Sequence, residues 1–327
     1  AYDDVSLDIP NPHVFCIKDC LVHTQYGLVT LGDQLAREST SHFPSFKFPD
    51  IKFSGRQHYE TSVVLPPFQA SATLDYAISA QAGVQDNYYH WLVLFLPRID
   101  PGFIVDEWAN RMKRPPVVIL PRFVSDVQRA SAAAILDHYE LAHICLEEST
   151  SIVVNNLIYP SVHRHGGIRP HPMIKSTFDI LKRRFYKSGL EYPKKVYISR
   201  RDSGNRTMVN ELEVEQTLKD NGYSIFLLSG MTLGEQINLF VRADTIVGGH
   251  GAGLTNIGFC EPGARVLEIA MPSYQNWCYR RLASVVGVEY GFMYGTQLAA
   301  PGGGSIHAQK FSVDICAIAR ILEAGSF

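Results

Sequence analysis

Short apolar runs alternate with amphipathic segments along the second half of the chain. The apolar runs predict strands at residues 195–200, 223–228, 245–247 and 266–269. Between them, residues 210–221 and 232–243 predict helices, because each segment begins with a capping residue followed three positions later by Glu. Such alternation is typical of a parallel sheet flanked by helices, in which ligands bind at the carboxyl ends of the strands.

The first half shows the same alternation less regularly. Apolar runs predict strands at residues 117–120 and 152–158, with a helix at 125–139 between them, and further helices are predicted at 173–187 and 313–322. Residues 161–172 are rich in His, Gly and Pro, a composition typical of a linker. We therefore predict an α/β protein of two domains, residues 1–165 and 166–327, each a Rossmann-like lobe.

Composition and charge narrow the classes of partner. The chain has 327 residues, of which 46% are apolar, enough for two packed cores. The net charge is −2 and the basic residues are scattered, which disfavours nucleic acid as a partner. The apolar run at residues 92–97 is far shorter than the roughly 18 residues of a membrane span.

Six cysteines show no C-x-x-C spacing and lie in or near apolar runs. This pattern predicts reduced thiols, with a Cys16–Cys20 link as the local alternative, and favours a cytoplasmic protein. The sequence begins at Ala1 rather than Met, so a trimmed signal or anchor stays open as an alternative.

A glycine-rich loop follows the strand predicted at residues 245–247. Its glycines remove side chains from a strand-to-helix turn, so that backbone N–H groups can approach an anion such as a diphosphate. The spacing GGHGAG matches neither the dinucleotide fingerprint nor a Walker loop, which disfavours a nicotinamide or ATP enzyme. A tight turn without a ligand would use glycines too, so the loop alone does not identify a nucleotide-binding site.

Three segments, in this order along the chain, resemble glycosyltransferase family 61: DNYYHWLVLFLPRI at residues 86–99, YISRRDSGNRTMVNELEV at 197–214, and HGAGLTN with FCEPGARVLEI at 250–269. The first fifty or so residues show no such resemblance. The resemblance implies a GT-B fold, in which two Rossmann-like lobes face a central cleft. It also implies an inverting, metal-independent transferase without a cofactor. The N-terminal lobe would bind the acceptor, and the C-terminal lobe would bind the nucleotide sugar, a UDP-linked one in known members.

Sugar transfer from a nucleotide builds negative charge on the leaving diphosphate, which must be stabilised. The sequence has no Asp-x-Asp pair for a metal, so arginines and the glycine loop are expected to provide that stabilisation. The predicted diphosphate-binding residues are Arg200, Arg201, Arg206, His250, Gly251, Ala252, Gly253, Thr255 and Asn256. Alternatives are a basic turn paired with Asp202 and Glu211, and side chains that only cap the loop. Glu268 is predicted to bind the ribose, with a strand-end salt bridge as its alternative.

An inverting transfer also needs a base for the acceptor hydroxyl, and histidine suits that role. A histidine beside Trp91 is by itself more often a core residue, but the family motif implies that His90 is the base. Asp86 is the second candidate, either orienting His90 or acting as the base itself. His163, His165 and His171 resemble a loose metal cluster, but their spacing favours a linker.

The sequence thus predicts transfer of a sugar to a glycan or glycolipid acceptor. The absence of a lumenal disulfide pattern favours bacterial surface (capsular) polysaccharide synthesis in the cytoplasm, at or near the inner membrane. The alternatives are a protein of the secretory lumen whose anchor was trimmed, a nucleotide-sugar epimerase or hydrolase, and a non-catalytic nucleotide-sugar-binding subunit.

Overall fold

The computed structural model describes residues 14–23, 27–36, 39, 52–56, 59–64, 70–79, 87–100, 115–121, 125–145, 150–160, 171–298 and 309–325, with only the backbone given at 52–56 and 59–64. The chain divides into two compact units, Ala1–Thr177 and Phe178–Phe327. The predicted boundary between residues 165 and 166 lies outside the described residues, as does most of the predicted linker, and both stay predictions.

The first unit contains a seven-stranded mixed sheet and a separate two-stranded pair. The strands are β1 (Val14–His23), β2 (Leu28–Leu31), β3 (Gln34–Leu35), β4 (Lys52–Arg56), β5 (Tyr59–Val64), β6 (Ala70–Ser79), β7 (Val117–Leu120), β8 (His143–Cys145) and β9 (Ser151–Pro160). The spatial order of the large sheet is β3-β2-β1-β9-β6-β7-β8, in which β9, β6, β7 and β8 run parallel and β1 runs antiparallel to both of its neighbours. The separate antiparallel pair is formed by β4 and β5.

The helices of the first unit include one segment that changes pitch. It begins as α1 (Tyr88–His90), continues as a π-helix at Trp91–Phe95 and ends as a 3-10 helix at Leu96–Ile99. The longer helices are α2 (Asp126–Tyr139) and α3 (Ile174–Phe185), the second of which continues into the next unit. The strands predicted at residues 117–120 and 152–158 and the helix between them are confirmed.

A buried histidine connects three strands of the first unit. His23 lies on β1, where its Nδ1 hydrogen-bonds Ser151 Oγ and its Nε2 hydrogen-bonds Thr30 Oγ1, both at 2.9 Å. Its side chain is 4% exposed, and burial lowers the pKa of His23 to about 4. The imidazole is therefore neutral in the folded protein at pH 7.

The second unit contains a five-stranded, fully parallel sheet and a small three-stranded sheet. The strands are β10 (Lys195–Ile198), β11 (Thr207–Met208), β12 (Ser224–Phe226), β13 (Thr245–Gly249), β14 (Arg265–Ala270), β15 (Glu289–Tyr294), β16 (Thr296–Gln297) and β17 (Lys310–Ser312). The parallel sheet has the order β12-β10-β13-β14-β15, and the small sheet has the order β11-β17-β16. The helices are α4 (Glu211–Asp220), α5 (Leu233–Arg242), α6 (Cys278–Val286) and α7 (Ile315–Ala324), with 3-10 helices at Leu228–Gly230 and Ala252–Phe259.

One of the two predicted helix caps is confirmed and the other is wrong. Thr232 and Glu235 form a reciprocal capping box at the start of α5. Asn210 precedes α4 but does not cap it, because its side chain hydrogen-bonds the backbone N–H and C=O of Val313 at 3.0 and 2.8 Å. This side chain therefore ties the start of α4 to the end of the small sheet.

The glycine loop is followed by a short helix, as predicted, which is a 3-10 helix at Ala252–Phe259. Glu268 lies inside β14, opposite Gly248 of β13 and Phe292 of β15, and is 2% exposed. A strand-end position for this carboxylate is therefore wrong.

Candidate functional site

The central crevice of the parallel sheet lies between β10 and β13. In order of appearance the five parallel strands are arranged 2-1-3-4-5, the doubly wound order whose switch point falls between its first and third strands. The chain leaves β10 at Ser199 and leaves β13 at Gly249, so two loops meet at the carboxyl ends of these neighbours. We call them the arginine loop (residues 199–206) and the glycine loop (residues 248–253).

Arg200 lies directly over the glycine loop. A Cβ at Gly251 would be 1.5 Å from Arg200 Nη1, and a Cβ at Gly249 would be 2.9 Å from Arg200 Cδ. The φ of Gly251 is 178°, an extended backbone that any residue adopts. Glycine at position 251 thus leaves room for the guanidinium, which would have to move if a larger residue stood there.

The Arg200 side chain is held by neutral groups. Its Nη2 donates to Ser203 Oγ and to the Asn205 carbonyl, both at 2.9 Å, while its backbone N–H donates to Glu211 Oε1 at 2.6 Å. Its Nε is buried and has no hydrogen-bond partner among the described residues. Burial, and then the nearby charge of Arg206, lower the pKa of Arg200. A half-buried cation whose guanidinium hydrogen-bonds neutral oxygens is suited to an anionic ligand.

Arg206 contributes a second positive charge to the same site. Its guanidinium carbon lies 4.8 Å from the centroid of the Tyr274 ring, a cation–π distance. Its φ is +51°, in the left-handed region, which costs a non-glycine residue of order 1–3 kcal/mol. The fold therefore maintains a strained turn that brings two arginines together.

Arg201 points to a different partner. Its Nε donates to Glu215 Oε1 at 2.7 Å, and the Glu215 side chain is 4% exposed while that of Arg201 is 45% exposed. This hydrogen bond raises the pKa of Arg201. The structure thus brings Arg200 and Arg206 together and pairs Arg201 with α4.

His250 of the glycine loop belongs to a buried chain of three side chains. Its Nδ1 hydrogen-bonds Glu268 Oε1, and the Tyr290 hydroxyl donates to Glu268 Oε2. His250 is 6% exposed. Its ring lies 5.1 Å from the ring of Tyr274 and 5.0 Å from that of Tyr279. Burial and the adjacent carboxylate raise the pKa of Tyr290.

The residues after the glycine loop are fully buried. Asn256 donates to Gln236 Oε1 at 2.9 Å and to the Gly253 carbonyl at 3.0 Å, so it links the 3-10 helix to α5. The Oγ1 of Thr255 is buried with no hydrogen-bond partner in the described part of the chain. Leaving a buried hydroxyl unpaired costs about 1–3 kcal/mol, which a ligand oxygen could offset.

The candidate base in the first unit is half-buried on α1. Asn87 Oδ1 accepts from the backbone N–H of His90 at 3.1 Å and so caps the segment. The neighbouring Trp91 is 0% exposed and donates to Ser131 Oγ at 2.8 Å, so this part of the motif serves the core. Asp86 lies outside the described residues, and its role stays a prediction.

Three tyrosines around the site were not predicted from the sequence. Tyr274, Tyr279 and Tyr290 surround His250 and Glu268 but lie in the loop, helix and strand that follow β14. No local spacing connects a tyrosine on β15 to a carboxylate one strand away. The register of the sheet makes the connection, because Glu268 lies opposite Phe292 and Tyr290, two residues earlier on β15, shares the face of Phe292.

Among the described residues, no group of three His, Cys, Asp or Glu side chains could hold a metal ion. Of the three histidines that resemble a metal cluster, His163 and His165 lie outside the described residues. The Nδ1 of the third, His171, accepts a hydrogen bond from the Met173 N–H. No helix in the described part of the chain has the length and apolar character needed to cross a membrane. All six cysteines are described and none forms a disulfide, so the Cys16–Cys20 alternative is wrong.

The fold and the site define a doubly wound α/β protein with a cationic crevice at its switch point. The sequence model of the glycosyltransferase 61 family matches residues 88–267, more than half of the chain. The chain therefore belongs to the glycosyltransferase 61 family, as the sequence motifs predicted.

Two individual comparisons add less. A β-1,2-xylosyltransferase from Arabidopsis thaliana is 34% identical over 68 residues, which cover 21% of this chain and 13% of that protein's length. A mutant flavo di-iron protein from Thermotoga maritima is 10% identical, with a TM-score of 0.25, over 71% of this chain and 50% of that one. A structural likeness this slight carries no argument about fold or function.

Proposed function

We propose that this chain is an inverting, metal-independent glycosyltransferase that moves a sugar from a UDP-linked donor to a hydroxyl of a glycan or glycolipid acceptor. The observation that carries the proposal is the half-buried Arg200 guanidinium lying over Gly251 at the switch point of a parallel sheet. In such a sheet this crevice is the expected place for a nucleotide.

Two arginines and the glycine loop would stabilise the leaving diphosphate. Arg200 and Arg206 supply two positive charges, and hydrogen bonds from charged donors are the strong ones. The buried Thr255 hydroxyl adds a group in need of a partner at the same loop. Charge developing on a diphosphate is stabilised best by donors that are already in place, which removes the requirement for a metal.

On the acceptor side, His90 is proposed as the general base. His90 lies in the family motif of the first unit. We propose that this unit binds the acceptor and that the two lobes form a GT-B arrangement. As the acceptor oxygen attacks the anomeric carbon, His90 would take the hydroxyl proton while the bond to the diphosphate breaks. An α-linked donor would then give a β-linked product.

We also propose a cellular role and location for the reaction: surface polysaccharide synthesis in the cytoplasm, next to the inner membrane. A glycolipid acceptor at the membrane surface would suit that setting.

The test is incubation with a panel of UDP-sugars, with and without a crude glycan acceptor and with and without EDTA. Acceptor-dependent UDP release that survives EDTA is the expected result, and the anomeric configuration of the product checks inversion. Loss of release in EDTA would refute metal independence. Free sugar without acceptor would identify a hydrolase, an altered sugar an epimerase, and UDP binding without turnover a non-catalytic protein.

A further inference from the structure

The buried chain of His250, Glu268 and Tyr290 contains a carboxylate with both oxygens occupied. Oε1 accepts from the His250 imidazole and Oε2 accepts from the Tyr290 hydroxyl. Glu268 is 2% exposed in the middle of β14, between two neighbouring strands of the sheet. Each oxygen thus has an internal partner, and the carboxylate itself has almost no exposed surface for a ligand to contact.

The carboxylate also determines which nitrogen of His250 can reach a ligand. An ionised carboxylate only accepts hydrogen bonds, so the imidazole proton in this pair sits on Nδ1. Nε2 is the ring nitrogen that remains for a ligand. The rings of Tyr274 and Tyr279, at 5.1 and 5.0 Å, restrict rotation of the imidazole further.

Glu268 and a bound anion would both accept hydrogen bonds from a protonated His250. A carboxylate this deeply buried is costly unless an opposite charge compensates it. An imidazolium would donate from Nδ1 to Glu268 and from Nε2 to an anion at the glycine loop. Carboxylates that orient and polarise a histidine in this way are well known in metal sites and catalytic triads.

We propose that Glu268 is a positioning residue that acts on the donor diphosphate through His250, with Tyr290 holding the far carboxylate oxygen. The inference rests on the proposed function, because it takes the diphosphate as the anion at the glycine loop. It assigns Glu268 to the phosphate end of the nucleotide, whereas a ribose-binding Glu268 would contact the sugar hydroxyls directly.

The experiment measures calorimetric affinities of the full chain for UDP and for 2′,3′-dideoxy-UDP, which lacks the ribose hydroxyls. Glu268→Gln keeps the size of the side chain and removes its charge. We expect it to weaken UDP binding about 10- to 100-fold, the range for losing a carboxylate that orients a ligating histidine. The ratio of the two affinities should stay at its wild-type value.

A double variant tests whether the effect passes through the histidine. In a His250→Gln background, Glu268→Gln should weaken UDP binding by less than about twofold, because residues that act as one unit are not additive. Full additivity would overturn the inference. A collapse of the UDP to dideoxy-UDP ratio in Glu268→Gln would overturn it too and would identify a ribose ligand.

Tyr290→Phe provides the milder variant if Glu268→Gln does not fold. It removes one hydroxyl, and we expect weaker UDP binding with an unchanged ratio; unchanged UDP affinity would overturn the inference. A wild-type protein that binds neither nucleotide would instead refute the proposed function itself. The two failures are therefore distinguishable.

Discussion

Gly251→Ala should displace Arg200 from the glycine loop while leaving the fold intact. The new methyl group would lie 1.5 Å from Arg200 Nη1 and 2.5 Å from its Cζ, so the guanidinium has to move. The backbone at this position is extended, with a φ of 178°, and accepts alanine without strain. The substitution therefore acts on the arginine without touching its charge.

The size of the effect follows from the contacts that Arg200 would lose. Moving the guanidinium breaks its hydrogen bonds to Ser203 and Asn205 and removes its contact with a bound diphosphate. A hydrogen bond to a charged group contributes about 1.5–3 kcal/mol. At about 1.4 kcal/mol per factor of ten, the Kd for UDP should rise roughly 10- to 150-fold.

Calorimetric titration with UDP, together with thermal unfolding of the same preparation, measures this effect. Gly204→Ala is the matched control, because a Cβ at that position, in the same arginine loop, meets nothing within 4 Å. Gly251→Ala in an Arg200→Ala background should cause little further loss. Wild-type UDP affinity in a folded Gly251→Ala variant would refute the reasoning that Arg200 binds the donor.

Three further predictions concern other residues. Arg201→Ala should leave the Kd for UDP within about threefold of wild type and lower the melting temperature, because the Arg201 side chain is paired with the buried Glu215; a large loss of UDP affinity would contradict this. His90→Ala should reduce turnover about 10²- to 10⁴-fold with UDP affinity unchanged, as measured by acceptor-dependent UDP release; near-normal turnover would exclude it as the base and leave Asp86. The neutral, buried His23 should make the protein less stable in acid, because its folded pKa of about 4 lies below the unfolded value of 6.5. The free energy of unfolding should therefore fall by about 3 kcal/mol as the pH falls from 6.5 toward 4. Urea unfolding at pH 7 and pH 4 tests this, and His23→Gln should flatten the difference.

Local patterns predicted the parts of the fold that local interactions determine. The capping box of Thr232 and Glu235 could be read from residues three positions apart, and the structure confirms it. The same pattern at Asn210 gave a wrong cap, because a side chain with a tertiary partner does not need the local one. That partner, Val313, lies 103 residues further along the chain.

The candidate site was predictable in position but not in its internal pairing. The glycine loop and Arg200 follow neighbouring strands, and strand order alone brings such loops together. The space that Gly251 leaves is filled by a side chain of the neighbouring arginine loop, which no spacing within the glycine loop reveals. Likewise, the sequence predicts a strand-end position for Glu268, whereas β14 continues past it to Ala270 and Glu268 is 2% exposed.

The bonds between Asn210 and Val313 make the C-terminal segment a support for the arginine loop. Immediately after that loop, β11 pairs with β17 at Thr207–Lys310 and Met208–Phe311, and the two Asn210 bonds follow directly. The five parallel strands do not include this small sheet. Shortening or fusing the protein within residues 309–313 would therefore loosen the two arginines. Because Phe311 and Val313 share a buried core cluster with Val247 and Leu267, it would weaken one face of the parallel sheet as well.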